Sequence, residues 1–247
     1  MRRNFLIFIA FFIFANFVSS QKTYLRGLGD TLFFPAKTDS VFLLQPVYGD
    51  FSQMDALMPL CYVRDTVFQG KFLSAAQLGI GTYFLAVGNL ETDTICSVIP
   101  IFEKHPQVWQ ITVRRDSSFI GFCEELLGLP FVLPPRKIPG YGHQTDLRLA
   151  ADCAELAIYA RRRQGHKIPY VGPRGLWKYL RPAEKLEPGV ILHFGHQVSV
   201  LYEDRGRSGV LDEDDLLIHS YREMVEILPL GETNLQHRSC RIMRWKE

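Results

Sequence analysis

Asp152-Cys153-Ala154-Glu155-Leu156-Ala157-Ile158-Tyr159-Ala160-Arg161-Arg162-Arg163-Gln164-Gly165 is the stretch on which the fold turns. Alanines and long unbranched side chains favour a helix, Asp152 stands where an N-cap acceptor belongs, and Gly165 supplies the stop. The spacing predicts a helix from about Cys153 to Gln164. Glu155 reads as an acid in the positive first turn, and Arg161, Arg162 and Arg163 read as cations facing the negative last turn.

Working outward, Ser117 or Ser118 caps a shorter helix over residues 119–127, which Gly128 and Pro130 stop. A proline-rich connector follows from Pro134 to Gly140, and Pro173 opens a third short helix that ends before Pro182. The pattern then turns to strands at residues 190–195, 197–202 and 216–221, with 224–228 and the tail 240–245 as further candidates. Residues 204–215 form a polar connector. Helices followed by antiparallel strands give an α+β class and exclude a doubly wound sheet. Residues 21–116 differ in character: short runs rich in β-branched and aromatic residues are separated by Gly, Pro, Asn and Asp, which predicts a small β-sandwich-like domain. The expected division is therefore 1–20, 21–116 and 117–247.

Composition narrows the field. With 247 residues, 47% of them hydrophobic, the chain is neither disordered nor collagen-like. A net charge of +2 gives no reason to expect a nucleic-acid partner. Arg2 and Arg3 precede an apolar run over residues 5–18 that is shorter than the ~20 residues of a spanning helix. Val18 and Ser20 stand at the −3 and −1 positions of a cleavage site, so residues 1–20 read as a signal peptide and the remainder as exported, with no membrane span after cleavage. Removing that segment takes both arginines, and the basic and acidic residues then balance.

Five cysteines remain, at 61, 96, 123, 153 and 240. An odd count in an exported chain suggests one free thiol beside paired ones. Order along the chain suggests Cys61 with Cys96 and Cys123 with Cys240; the other reading leaves all five free and buried. Metal ligation is disfavoured, because no paired CxxC spacing occurs and His193 and His196, three apart on a strand, point to opposite faces. The acidic run 212–215 lacks the spacing of a calcium loop and reads as a solvated turn. No cofactor is expected.

Cys153, by contrast, opens a helix, where the dipole and unpaired N–H groups favour a thiolate. His196 follows Gly195 at the start of a strand, and His219 lies on the next strand. Nucleophile on a helix, base on a strand and an orienting group on its neighbour is the arrangement that thiol catalysis uses.

Local sequence sharpens this reading. Asp152-Cys153-Ala154-Glu155-Leu156 resembles the Asp-Cys-Ser-Gly-Leu helix start of the NlpC-like cysteine peptidases, compact papain-like enzymes of the bacterial cell wall. In the same order, Lys167-Ile168-Pro169, the strand at 186–194, Gly195-His196-Gln197-Val198-Ser199-Val200-Leu201-Tyr202 and Leu217-Ile218-His219-Ser220 are similar to later motifs of that family, the third of these to its Gly-His-Val-Gly-Ile-Tyr strand. The resemblance covers about residues 140–225. It implies a papain-like domain with Cys153 as nucleophile, His196 as general base and acid, and His219 as the third polar residue. Tyr141, His143 and Asp152 would fall on the substrate side. The departures are Glu155 for Gly, Val190 for Asp, and Gln197-Val198-Ser199 after the histidine, and they leave the substrate class open.

The function implied is an exported cysteine hydrolase, periplasmic or extracellular, that cleaves an amide bond in peptidoglycan peptides through a thioester. Two alternatives stand beside it: a catalytically inactive adaptor or wall-binding protein of papain-like fold, and acyl transfer through the same thioester. The β-rich half is expected to position the enzyme or narrow its cleft.

Overall fold

The computed structural model describes residues 23–35, 38, 40–49 and 57–247. The first twenty residues, read above as an export signal, lie outside the described residues. Among the described residues no helix is long and apolar enough to cross a membrane.

The chain is mixed α+β, richer in strand than in helix. Its first half contains β1 (Thr23–Gly27), β2 (Thr31–Phe33), β3 (Ser40–Pro46), β4 (Leu60–Gln69), β5 (Phe72–Ser74), α1 (Ala75–Leu78), β6 (Gly81–Val87), β7 (Thr94–Ser97), α2 (Ile101–Lys104) and β8 (Val108–Arg114). The second half contains α3 (Phe119–Glu124), β9 (Lys137–Ile138), β10 (Gly142–His143), α4 (Cys153–Arg163), α5 (Pro173–Leu176), β11 (Leu180–Pro182), β12 (Ile191–His193), β13 (Val198–Glu203), β14 (Leu216–Tyr221), β15 (Met224–Pro229) and β16 (Arg241–Trp245).

Two six-stranded sheets organise these elements. The first runs β1-β8-β6-β3-β4-β7, with only β1 and β8 parallel. The second runs β11-β16-β12-β13-β14-β15 and is antiparallel throughout. A two-stranded ribbon, β2 with β5, covers one face of the first sheet through Leu32, Phe34 and Leu73 against Val41, Leu85, Ile111 and Val113. The other face, with Leu44, Tyr62, Phe84 and Val108, shares one core with Phe122, Leu126, Leu156, Ala157 and Ala160 of the helical region.

That layering corrects the sandwich expectation. The partner of the first sheet is a ribbon on one side and the helices on the other, not a second sheet of its own. The boundary at 116 falls in a loop, but the main core runs across it because alternate residues of β6 serve different layers: Leu85 faces the ribbon, while Phe84 and Ala86 face the helices.

Helix α4 follows the predicted span to within a residue and is buried continuously from Cys153 to Ala160. Its alanines at 154, 157 and 160 let neighbouring layers approach. The arginines at its end are individually paired: Arg162 with Asp146 at 3.2 Å, and Arg163 with Glu125 at 3.2 Å. Glu125, with no exposed surface, also takes Arg114, Arg148 and the Tyr159 hydroxyl. One carboxylate thus ties β8, the end of α3 and α4 together. The third helix is shorter than expected, since α5 tightens into a 3₁₀ turn at Trp177–Tyr179.

Cys61 and Cys96 face each other across β4 and β7 and form a disulfide. The second pairing suggested by chain order does not form: Cys123 is buried in α3 and Cys240 stands beside β16, both free.

Candidate functional site

Asp152 caps α4 as its sequence position predicts, its Oδ1 accepting from the Ala154 and Glu155 N–H groups at 2.9 and 2.8 Å. The side chain is therefore committed to the helix terminus and buried, with its carboxyl pushed up by burial against those two hydrogen bonds. Cys153 follows as the first helical residue and is 5% exposed. Its thiol meets the backbone amides of Val198 and Ala154, but burial and the Asp152 carboxylate together push it up to about 12. Desolvation of a thiolate outweighs the amides and dipole that favour it.

The two histidines expected beside this thiol are elsewhere. His196 is exposed at the tip of the β12–β13 hairpin, where Arg174 Nη2 lies 3.3 Å from its Nε2. His219 is buried on β14, on the far side of the second sheet from α4. Two contacts fix that side: Val198, Val200 and Ile218 pack with α4, whereas Leu201 and Leu217 pack with Phe194, Leu230 and Leu235. Strand alternation puts His219 with Leu217, and Ser220 with α4, where its hydroxyl donates to Ala151 O at 2.9 Å. Among the groups that act on the Cys153 thiol there is no imidazole.

A third histidine, His193, is also buried, with both ring nitrogens spent on structure. Its Nε2 lies 2.9 Å from Pro173 O, and its Nδ1 accepts the Gly195 N–H at 3.1 Å. Trp177 packs on the ring at 4.1 Å between centroids.

Beside the N-terminus of α4 lies a polar cluster that sequence pattern alone did not reveal. Glu155 is buried and receives the Thr145 hydroxyl, with His143 Nδ1 3.6 Å from the same carboxylate oxygen. His143 stacks on Tyr170 at 4.2 Å, and the Tyr170 hydroxyl donates to Asp146 Oδ1 at 2.7 Å. Arg162 closes the chain through Asp146 Oδ2. Burial pushes the Glu155 carboxyl strongly up, Asp152 adds to it, and the same burial pushes His143 down. Glu155 is thus a buried acid rather than the solvated first-turn charge its position suggested. The signal was present in one respect: from Cys153 to Ala160 every residue but Glu155 is apolar or aromatic, which leaves the carboxylate no polar face to share. Tyr141 stands exposed at the turn between β9 and β10.

The structure therefore groups Asp152, Cys153, Glu155 and His143 near one helix end, and leaves His196 and His219 apart from them. A protonated thiol under a strand, beside the Asp152 carboxylate, packs and hydrogen-bonds with no imidazole among the groups that act on it. Comparison with family models, with curated proteins and with solved structures returns no match.

Proposed function

We propose that this is an exported protein built on a papain-like plan that binds its target, a cell-wall peptide or an exported partner, without turning it over. The observation that carries this reading is the Cys153 thiol, closed beneath the Val198 amide with burial holding it protonated and no imidazole acting on it. The second strand motif supports it. In it His196, the expected base, is exposed at the hairpin tip, and the buried side chain that follows is a carboxamide, Gln197. Gln197 is buried and its amide donates to Ser220 O at 3.0 Å. A carboxamide holds position but takes no proton at physiological pH. The Cys61–Cys96 disulfide agrees with an oxidising, extracytoplasmic setting.

A cysteine hydrolase, or an acyltransferase using the same thioester, is the second reading. It is favoured by the amides of Val198 and Ala154 converging on Cys153 at the start of α4, the kind of donor set that stabilises a developing oxyanion. One experiment separates the two. Mature protein and its Cys153→Ala variant are incubated with insoluble peptidoglycan and with N-acyl peptide libraries, and both soluble products and co-sedimented protein are followed. Equal co-sedimentation with no products from either supports the binding reading. Products from the wild type that vanish with Cys153→Ala overturn it in favour of the hydrolase.

A further inference from the structure

On the face of the second sheet away from α4, the β14–β15 hairpin frames a cavity of about 190 Å³, lined by His219, Tyr221, Glu223, Glu226, Leu228 and Thr233 among others. His219 stands directly opposite Glu226 in the strand register. It is 3% exposed, yet neither ring nitrogen makes a hydrogen bond; the nearest acidic atom, Glu226 Oε1, lies 3.6 Å from Nε2. A buried imidazole with both nitrogens idle costs desolvation energy that nothing in the fold returns. A donor that enters from the cavity would satisfy it.

The walls define the chemistry of that partner. Glu223, Glu226 and Glu232 bring three carboxylates to the cavity against one guanidinium, that of Arg222, which lies over the Tyr221 ring. Such a surplus favours a cation. Among the described residues no group of three or more His, Cys, Asp or Glu side chains is arranged to hold a metal ion, so the favoured cation is organic. An ammonium carries three donors and no acceptor, matching one imidazole lone pair and carboxylates on either side. Tyr221 and Leu228 supply apolar surface for an aliphatic stem. The volume is adequate: a cavity of about 150 Å³ accommodates a benzene ring, and a four-carbon amine has about as many heavy atoms.

We propose that this cavity binds a monoalkylammonium group, as borne by a lysine-type side chain, between His219 and the Glu226 carboxylate, with Glu223 and Glu232 at its mouth. The site is independent of the fate of Cys153, since the sheet separates the two.

The full mature chain is titrated with Nα-acetyl-lysine methylamide, with cadaverine, and with the doubly acetylated lysine amide, which has no charge. Binding is read from heat and from the His219 ring ¹⁵N shifts, assigned with His219→Gln. The two amines are expected to bind saturably and to move the His219 resonances, while the acetylated amide does neither. Glu226→Gln is expected to weaken the amines by about 10- to 100-fold, the range for losing a hydrogen bond between charged groups. Glu223→Gln, on the exposed turn, is expected to weaken them less, and Glu213→Gln, outside the cavity, not at all. Tighter binding of the lysine amide than of cadaverine identifies a peptide side chain as the source, and the reverse order a free polyamine; either carries the proposal. No saturable binding, equal binding of the acetylated amide, or equal loss with Glu213→Gln overturns it.

Discussion

The reactivity of Cys153 gives the sharpest test of how burial and helix position compete. With the thiol pushed up to about 12, the thiolate fraction at pH 7 is on the order of 10⁻⁵, against about 3% for a free cysteine. Greater basicity recovers part of the loss, roughly 40-fold for a Brønsted slope of 0.4–0.5 over this difference. Alkylation is therefore expected to be about 100-fold slower than for a free cysteine, before the 5% exposure slows it further. The pH profile is more telling than the absolute rate. Without an activating partner, the iodoacetamide rate at Cys153 should rise about tenfold per pH unit from 5.5 to 8, with no plateau. Cys240, also pushed up to about 12, and the buried Cys123 react slowly as well, so the modified residue must be assigned by peptide mass, with Cys153→Ala as the control. A rate at Cys153 that is flat between pH 6 and 8 would mean a preformed thiolate and would refute both the burial argument and the binding reading.

Three further outcomes follow from the polar groups and the disulfide. Glu155 is held protonated in the folded chain but ionises near 4.5 when unfolded, so stability should fall as pH rises from there through neutrality, and Glu155→Gln should flatten that fall in urea midpoints at pH 5 and pH 8. Replacing Glu125 by Ala leaves Arg114, Arg148 and Arg163 without their shared carboxylate; a loss of about 3–5 kcal/mol is expected in denaturant unfolding, and a loss under 1 kcal/mol would deny that the hub holds the layers. The Cys61–Cys96 disulfide spans a sequence separation of 35, for which chain entropy gives about 4 kcal/mol. The double Ser variant should melt about 10 °C lower, and an unchanged Tm would put the constraint in a segment that unfolds separately.

Local signals were legible wherever one short stretch decided the outcome. Asp152 and the residues after it encode a capped helix, since the cap, the helix formers and the stop lie within fourteen consecutive positions, and α4 forms there. The strands after residue 190 were likewise visible from β-branched and apolar runs, and one of the two pairings suggested by chain order, Cys61 with Cys96, forms. Cys123 and Cys240 show where that reasoning ends, because pairing depends on which sheet or helix each thiol packs against.

The chemistry of the candidate site lay beyond sequence for a definite reason. Strands buried on both faces carry no apolar–polar alternation, so Leu217, Ile218 and His219 give no sign of which side each one faces. A shift of one residue sends a side chain through the sheet, and it separates His219 from Cys153 while turning Ser220 toward α4. By itself the sequence determined a capped, buried helix opened by a cysteine and followed by antiparallel strands. Only the tertiary structure decided that this cysteine is desolvated without a base and that the buried histidine opens instead onto an acidic cavity, because face and solvent exposure are properties of packed layers, not of neighbouring residues.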